Sequence, residues 1–328
     1  MFVRMNSYVE IQVADKSRPA LVFRNQVNSV EVETSWKFIT QKATINLPRL
    51  KKLLEEKSLT KINAGDTVLI QLGYNGNMRT EFEGYVSEVS PRTPLEIKCE
   101  DEMWKLKQDT VTKGWGTVKM KDIILYLVPE ADVSQVYDIT LSNFTIDHTS
   151  RAKALEKLMD ETGLAIYYRD KKIFCGFPYT ELGLPEVNYH FQKNIPKDEG
   201  KKSLTFLTKE MVKLKVRAIS MLPNNKHLEV ILGDEGGSEI TLHFYNCPTK
   251  DMLTKMATEK LKTLKYDGYR GSLLAFGQPF VTHSMIANIT DTEYPERSGK
   301  YFIDKVKTKY GHGGLRREVE FGLRADAA

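Results

Sequence analysis

Paired carboxylates are the residues of this 328-residue sequence whose type and spacing come closest to enzymatic chemistry. Two carboxylates on either side of a substrate can act as general acid and as base or nucleophile, as in glycosidases. Adjacent pairs occur at Glu55–Glu56, Asp101–Glu102 and Asp160–Glu161. All lie on elements that look exposed, which favours solvated charges over a reaction centre. A pair assembled from distant carboxylates stays open at this level.

No nucleophile or metal-binding pattern is present in the sequence. The three cysteines, Cys99, Cys175 and Cys247, are far apart and form no C-x-x-C pair, so neither disulfides nor a zinc site is predicted. The six histidines lack i, i+4 and H-x-H spacing, and no serine lies in a G-x-S-x-G elbow. We therefore predict no catalytic, metal-binding or cofactor-binding residue. His190 and His243 are expected to be half-buried strand residues.

Three glycine clusters resemble phosphate loops only superficially. They comprise residues 73–76, 233–237 and 311–314. Each lies between alternating strand patterns, and none opens a helix after a buried parallel strand. We interpret all three as hairpin turns.

Length and charge limit the remaining function classes. A chain of 328 residues predicts two or three domains. The net charge of +5 comes from 48 basic and 43 acidic residues that are interspersed, so nucleic-acid binding is not supported. No apolar run approaches the roughly 20 residues of a membrane span. The N-terminus lacks a signal-peptide core, so we expect the chain to stay in the compartment where it is made.

The first part of the chain reads as an antiparallel sheet. A three-strand meander is predicted at residues 66–72, 81–89 and 95–100, with apolar and polar residues alternating. Further strands are predicted at residues 8–13, 30–32 and 43–47, and a short helix or turn at 48–54. A sheet of about six strands must curl or be covered to bury its apolar face, which predicts a small barrel.

The middle of the chain predicts an α+β unit. A short helix is expected at residues 121–128, and a clearer one starts after Thr149–Ser150 and ends at Gly163. A hairpin follows at residues 164–176. Residues 194–203 read as a linker or long loop.

The last part of the chain predicts a second β unit. Strands at residues 212–218, 228–232 and 239–245 are expected to be joined by hairpin turns, followed by a long helix at about 249–265 and a closing meander. The predicted fold is mainly β with an α+β insertion: two tube-like antiparallel β-barrel domains at residues 1–108 and 191–328, and a smaller α+β domain at residues 109–190.

The two meanders resemble each other, which suggests a duplicated β-barrel unit. Gly84–Val89 and Gly299–Val306 are both glycine-led aromatic strands, and an alternating strand follows each. We expect Glu96, Lys98 and Glu100 to occupy sheet positions like those of Arg316, Glu318 and Glu320. These six residues, with Lys305, Lys307 and Lys309, are the candidate channel-lining or interface residues. An ordinary solvated sheet face is the alternative interpretation.

At the C-terminus, Gly299–Val306 followed by Gly313–Leu323 resembles the signature of the phage late control gene D proteins. These are baseplate hubs of contractile tails, related to the N-terminal part of VgrG proteins of type VI secretion. Residues 65–70 with 82–86, the helix after Ser150 and the hairpin that follows it extend the resemblance over nearly the whole chain.

The resemblance implies a non-enzymatic homotrimer with two tube-like barrels per subunit, a hexameric tail tube on one side, a spike on the other and a polar central channel. It implies a tail tube protein, a spike protein, and tape-measure and wedge proteins as partners, with DNA or effectors as transient cargo. It places the chain in a virion baseplate or injection-particle tip assembled in the bacterial cytoplasm. Because the sequence ends at Ala328, we expect the spike to be a separate polypeptide.

Two alternatives stay open. A tail-associated cell-wall hydrolase would need a carboxylate pair in a cleft or a metal site. A receptor-binding tail-tip protein of a non-contractile phage would show exposed aromatic clusters on loops.

Overall fold

Alternating residues along this chain form 23 strands in the computed structural model, which describes residues 3–14, 19–48, 62–90, 92–129, 131–196, 203–222, 226–245 and 247–326. The first seven strands are β1 Met5–Gln12, β2 Leu21–Arg24, β3 Ser29–Ser35, β4 Lys42–Leu47, β5 Thr67–Tyr74, β6 Asn77–Ser90 and β7 Leu95–Glu100. The middle strands are β8 Thr110–Gly114, β9 Thr117–Lys119, β10 Asp132–Val136, β11 Thr140–Ser142, β12 Thr145–Ser150, β13 Ala165–Arg169, β14 Lys172–Gly176 and β15 Glu186–His190. The last strands are β16 Ser203–Leu207, β17 Leu214–Met221, β18 His227–Gly233, β19 Ser238–Tyr245, β20 Gly268–Phe276, β21 Ile286–Thr290, β22 Gly299–Gly311 and β23 Gly314–Arg324.

The structure describes three α-helices, and a side-chain cap marks the start of the second and the third. They are α1 Met120–Leu127, α2 Arg151–Thr162 and α3 Lys250–Leu264. The Ser150 hydroxyl accepts the N–H of Lys153, and Gly163 follows α2 in the left-handed conformation. Thr249 caps α3 by accepting the N–H of Met252. Short 3₁₀ helices lie at Glu102–Lys107 and Pro295–Arg297.

One sheet of 13 strands joins the two ends of the chain. Its order is β16-β20-β23-β22-β3-β4-β7-β6-β5-β1-β2, with β21 on β22 and β15 on β21. The first meander, β5-β6-β7, and the last, β21-β22-β23, are both antiparallel as expected. The chain thereby returns to its first quarter, because β22 pairs with β3.

The first seven strands curl around one apolar core. Val9 on β1, Phe23 on β2, Val32 on β3, Ile70 on β5 and Ile97 on β7 belong to the same buried cluster. Strands from both ends of this part of the sheet thus contribute to one interior. That is how an amphipathic sheet buries its apolar face without a covering helix.

A second core lies under the last strands of the sheet. Tyr189 of β15, Leu273 of β20, Ile289 of β21, Tyr301 of β22 and Val319 of β23 are all fully or almost fully buried in it. A third core, in the α+β unit, packs α1 and α2 against strands β9 to β14. Cys175 lies in this third core and Cys99 in the first, where both pack as small apolar groups.

The hairpin predicted between β18 and β19 is wrong. These strands lie on opposite sides of β17, antiparallel and parallel to it respectively. Asp234 accepts the N–H of Leu214 at 3.0 Å and donates its own N–H to the Leu214 carbonyl at 2.8 Å. The glycine-rich loop therefore wraps around the start of β17, and Gly233 supplies the positive φ of 115° that this path requires. Helix α3 packs on this small sheet.

The predicted fold class is confirmed: a mainly β chain with an α+β element. The short helix expected at residues 48–54 and the turn at Asn224–Asn225 lie largely or wholly outside the described residues. Strand β2 and the short strands β8 to β12 were not predicted, because runs of three to six residues carry little periodicity.

Candidate functional site

The nine candidate residues lie on one face of the 13-stranded sheet. Six of them come from β22 and β23 and three from β7, near the opposite end of the chain. Strands β3 and β4 lie between these groups and add Glu31, Glu33, Lys42 and Thr44 to the same face. The sheet continues without a break from β23 to β7, so two patches predicted separately form one surface.

Charges alternate along the central row of this polar face. The cross-strand neighbours run Glu318, Lys307, Glu33, Lys42, Glu100 from β23 to β7. The next row runs Arg316, Lys309, Glu31, Thr44, Lys98 and ends at Glu88 on β6. Arg316 and Lys309 are like charges in register, but Lys309 pairs diagonally with Glu318, and the other charged neighbours in the two rows have opposite signs. Opposite charges on neighbouring strands stabilise a sheet and leave the face close to neutral. Such a face stays hydrated without a strong field for either sign of charge.

Ion pairs fix many of these side chains. Lys305 lies 2.5 Å from Glu33, and Lys307 lies 3.0 Å from Glu31 and 3.5 Å from Glu33. Burial raises the pKa of Glu33, but the two lysines outweigh it and lower the pKa overall. Lys309 pairs with Glu318 at 3.1 Å, Lys98 with Glu88 at 3.0 Å, and Lys37 with Glu320 at 3.2 Å.

Five strands at each end of the chain repeat the same arrangement. The pairs β3·β4, β4·β7, β6·β7 and β5·β6 correspond in chain order to β16·β20, β20·β23, β22·β23 and β21·β22, and all eight are antiparallel. We call these two groups of five strands the first and second repeats. Both repeats have a β-bulge at the same position, between Val86 and Glu88 on β6 and between Ile303 and Lys305 on β22, and the β22·β23 pairing has a further irregularity between Tyr301 and Ile303.

Backbone hydrogen bonds beside the bulge match as well. Val86 donates to the Asp66 carbonyl and accepts the N–H of Gly65, both at 2.8 Å. Ile303 donates to the Met285 carbonyl at 2.9 Å and accepts the N–H of Ser284 at 2.7 Å. Gly65 and Ser284 both have positive φ, at 94° and 67°. Val86 and Ile303 are therefore equivalent, which supports the duplication.

This equivalence shifts the predicted match between β7 and β23 by two residues. Lys98 corresponds to Glu320 and Glu96 to Glu318, so the two segments share a face and strand order. Glu100 corresponds to Gly322 instead of Glu320. Tyr85 aligns with Phe302, so Gly84 and Gly299 are not equivalent positions.

A buried ion pair joins the two repeats beneath the polar face. Arg317 on β23 and Glu81 on β6 are each 3% exposed and form two parallel hydrogen bonds, at 2.6 and 2.8 Å. Arg317 also donates to the Gly277 carbonyl at 2.9 Å and to the Thr308 hydroxyl at 2.6 Å. With its donors paired, a buried guanidinium is tolerated among apolar residues. Along β23 Arg317 occupies a buried position between Leu315 and Val319, and nothing in the sequence identifies its partner.

A second polar joint surrounds Asp304 at the bulge of β22. Its carboxylate accepts the Trp36 indole N–H at 2.9 Å and the Tyr179 hydroxyl, and pairs with Lys37 at 2.7 Å. Burial, followed by the nearby Asp304 charge, raises the pKa of Tyr179. Trp36 follows β3 and Tyr179 belongs to the α+β unit, so this carboxylate links three parts of the fold.

A third polar cluster holds the α+β unit against the second repeat. Arg169 pairs with Glu181, and its Nη2 donates to the His283 carbonyl at 2.9 Å. The Tyr167 hydroxyl donates to Glu181 at 2.7 Å. His283 is fully buried, and burial followed by the Arg169 charge lowers its pKa well below the ordinary value. A cavity of about 230 Å³ lies beside Arg169 and Glu181.

Three of the carboxylates singled out by sequence, Asp101, Glu102 and Glu161, have structural contacts. Burial raises the pKa of Asp101 to about 7, yet one oxygen accepts the N–H of Gln41 at 2.9 Å and the other that of Met103 at 3.1 Å. Asp101 thus caps the 3₁₀ helix that follows it. Glu102 pairs with Lys105, and Glu161 with Lys157. Glu55 and Glu56 lie outside the described residues.

The described ranges contain no group of three or more His, Cys, Asp or Glu side chains placed to hold a metal ion. No helix among them is both long and apolar enough to cross a membrane.

Three solved structures share this fold. The tail protein from Neisseria meningitidis MC58 has a TM-score of 0.62 and 11% identity, covering 98% of this chain and 97% of that chain. The 43 kDa tail protein of prophage MuSo2 from Shewanella oneidensis has a TM-score of 0.61 and 10% identity, covering 98% of both chains. The E. coli c3393 protein, a type VI secretion component similar in structure to T4 tail proteins gp27 and gp5, has a TM-score of 0.56 and 8% identity, covering 92% of this chain and 74% of that one.

At these identities the likeness establishes the fold alone. This chain shares its architecture with phage tail proteins and a type VI secretion component. No protein-family model and no curated protein sequence matches it.

Proposed function

We propose that this chain is a structural baseplate or tail hub protein. Three copies form a ring that joins a hexameric tail tube to a central spike and encloses a polar channel. The observation that carries the proposal is the charge-paired sheet face, which runs unbroken across both repeats from β23 to β7. The fold shared with tail proteins over almost the whole chain gives it context.

The polar face suits the wall of a channel. Acidic and basic residues alternate along its central row, and ion pairs between strands compensate many charges of the face. A near-neutral hydrated wall attracts neither a polyanion nor a protein cargo strongly, so DNA or effectors can slide past it. We propose that Glu96, Lys98, Glu100, Lys305, Lys307, Lys309, Arg316, Glu318 and Glu320 face this channel or its rim.

The repeats suit a change of symmetry. Two similar units in each subunit present six similar units when three subunits form a ring. A trimer can then match a tube with sixfold symmetry on one side and a threefold spike on the other. We propose the corresponding division of the chain into barrel domains at residues 1–108 and 191–328. The α+β unit at residues 109–190 lies between them in the sequence.

Partners and place follow from the same proposal. The ring would contact a tail tube protein, a spike protein and, at its periphery, tape-measure and wedge proteins. It would be assembled in the bacterial cytoplasm and would function at the baseplate of a virion or at the tip of an injection particle. A cell-wall hydrolase is less well supported, because Asp101 and Glu102 are held by structural contacts.

Mass in solution and activity on cell wall test this function together. Analytical ultracentrifugation is expected to show a trimer, and the trimer is expected to release no fragments from peptidoglycan. Electron microscopy of the trimer should show a ring with an open centre. A stable monomer that cleaves peptidoglycan would contradict the hub function and favour the hydrolase.

A further inference from the structure

The second half of β22 pairs with β3 of the same chain, while its counterpart in the first repeat lacks such a partner. Residues Lys305 to Tyr310 of β22 pair with β3, beyond the bulge at Ile303. Beyond the equivalent bulge at Val86, β6 continues to Ser90 and pairs only with β7 among the described strands. Along one edge of this short segment, the backbone N–H and C=O groups therefore have no described strand to pair with.

The strand that would complete the first repeat is identified by the repeat itself. Strand β3 pairs with β4 as β16 pairs with β20, so β16 is the counterpart of β3. Among the described strands, β16 is the last on its side of the sheet, and β20 is its one partner. Both edges end in half-buried apolar side chains, Val89 on β6 and Phe206 on β16, which pack against the two cores.

The same chain does not bring these two edges together. Along the sheet, β20, β23, β22, β3, β4 and β7 separate β16 from β6. A contact between two different edges of the same molecule is head-to-tail, and it closes into a ring when the rotation between copies fits.

We propose that β6 of one copy pairs antiparallel with β16 of the next copy, repeating between subunits the joint that β22 and β3 form within a chain. This inference rests on the ring proposed above and specifies how its subunits are joined. Adding a strand to an exposed edge supplies backbone hydrogen bonds for affinity, and the side chains set the register.

The in-chain joint predicts the register between copies. Lys307 opposes Glu33, and Lys305 opposes Ser35. The repeat equates Lys307 with Ser90 and Lys305 with Glu88. Through β4 and β20 it equates Glu33 with Thr205 and Ser35 with Leu207. Ser90 is therefore expected opposite Thr205 of the next copy, and Glu88 opposite its Leu207.

Side chains on the other face are consistent with this register. Val306 opposes Thr34 in the chain, so Val89 is expected opposite Phe206 of the next copy. Pairing would cover an aliphatic and an aromatic side chain, which is a favourable cross-strand combination. The in-chain joint has the ion pairs of Lys305 and Lys307, and the predicted joint has no equivalent cation–carboxylate pair at Ser90 and Thr205. Its strength should therefore depend less on salt.

Cysteine cross-linking tests the register. The variants Ser90→Cys and Thr205→Cys are co-expressed so that they assemble into mixed rings, and the purified mixture is treated with a short bifunctional thiol reagent. The matched control is Lys307→Cys/Glu33→Cys in one chain, which occupies the equivalent positions of the in-chain joint. The natural cysteines of the described structure are buried, and untreated wild type controls for them.

We expect the control to cross-link within the chain. The mixture is expected to give a covalent dimer, and each single variant alone is expected to give none, because the contact is head-to-tail. A chain carrying both Ser90→Cys and Thr205→Cys should give dimers and closed trimers. Mass spectrometry should recover the linked peptides that contain residues 90 and 205.

The outcomes separate this inference from the hub function. A trimer by ultracentrifugation whose mixed variants do not cross-link, while the in-chain control does, overturns the β6·β16 joint and leaves the ring intact. Cross-linking of Ser90→Cys with itself would also overturn it, because that requires a symmetric contact. A chain that stays monomeric at every concentration and never cross-links between copies overturns both proposals.

Discussion

Arg317 and Glu81 lie 236 positions apart in the sequence and form a fully buried, two-pronged ion pair. The pair fastens β23 of the second repeat to β6 of the first. It lies on the buried side of the sheet, beneath the charge-paired face.

Removing one charge of this pair should destabilise the protein strongly. Glu81→Gln leaves the Arg317 guanidinium buried without its counter-charge, and such losses are typically about 3 to 5 kcal/mol. The double variant Glu81→Leu/Arg317→Met should recover a large part of this loss, because apolar groups of similar volume avoid the desolvation cost. Urea denaturation measures both.

Arg217 and Glu229 provide the matched control for that experiment. They form the same kind of paired hydrogen bonds at 2.8 and 3.0 Å, but on the surface. Glu229→Gln should therefore change the free energy of unfolding far less than Glu81→Gln. Equal losses at the two sites would show that burial does not determine the strength of the Arg317 pair.

Substitutions at Gly65 and Ser284 should change stability by different amounts, because both residues have positive φ but only one of them is glycine. Gly65→Ala should cost about 1 to 2 kcal/mol through backbone strain. Ser284→Gly should stay within about 1 kcal/mol of wild type, since relief of strain offsets the lost contact with Tyr167 at 3.3 Å and the entropy of glycine. Thermal unfolding measures both, with Gly116→Ala, which has open space around it, as the control. If Gly65→Ala leaves stability unchanged, the positive φ at this position does not require glycine.

Gly322→Ala should disrupt the joint around Asp304. A methyl group at this position would overlap the Asp304 carboxylate and the Tyr179 hydroxyl. Overpacking of this kind costs about 1 to 3 kcal/mol. Tryptophan fluorescence should report it directly, because Trp36 donates to the same carboxylate. Gly313→Ala, with no atom within 4 Å of the added methyl group, is the control. Similar spectra and stabilities for the two variants would contradict the role of Asp304.

His283 should make the protein less stable in mild acid. Burial and Arg169 lower its pKa in the folded state, so below the ordinary value of about 6.5 the unfolded state binds the additional proton. Stability is therefore lost as pH falls below about 6.5, with a slope approaching about 1.4 kcal/mol per pH unit. Asp101, whose pKa is raised to about 7, gives the opposite slope between about pH 4 and 7.

The contribution of His283 is isolated by comparison with His283→Gln. Urea denaturation of both proteins between pH 4 and 8 should show a stability difference that shrinks as pH falls. The slope from Asp101 is common to both and cancels. A difference that does not change with pH would mean that His283 takes up its proton normally in the folded state.

Local patterns in the sequence determined the elements and their faces. The period-two alternation of β5, β7 and β23 separates buried from polar positions wherever those strands pair. Ser150 and Gly163 set the ends of α2, because a hydroxyl cap and a left-handed glycine act within one turn of helix. The side of each strand on which the nine candidate residues lie was therefore predictable, strand by strand.

Only the tertiary structure decided which edges meet. Backbone hydrogen bonds between strands are the same for every residue type, so nothing in β22 specifies β3 as its neighbour, and nothing in the loop 233–237 shows that β19 crosses to the far side of β17. The partner of Arg317 could not be identified for the same reason, since Glu81 lies beside it only in a sheet where β22 pairs with β3. Alternation determines which face of a strand is buried, and long-range packing determines what lies beside it.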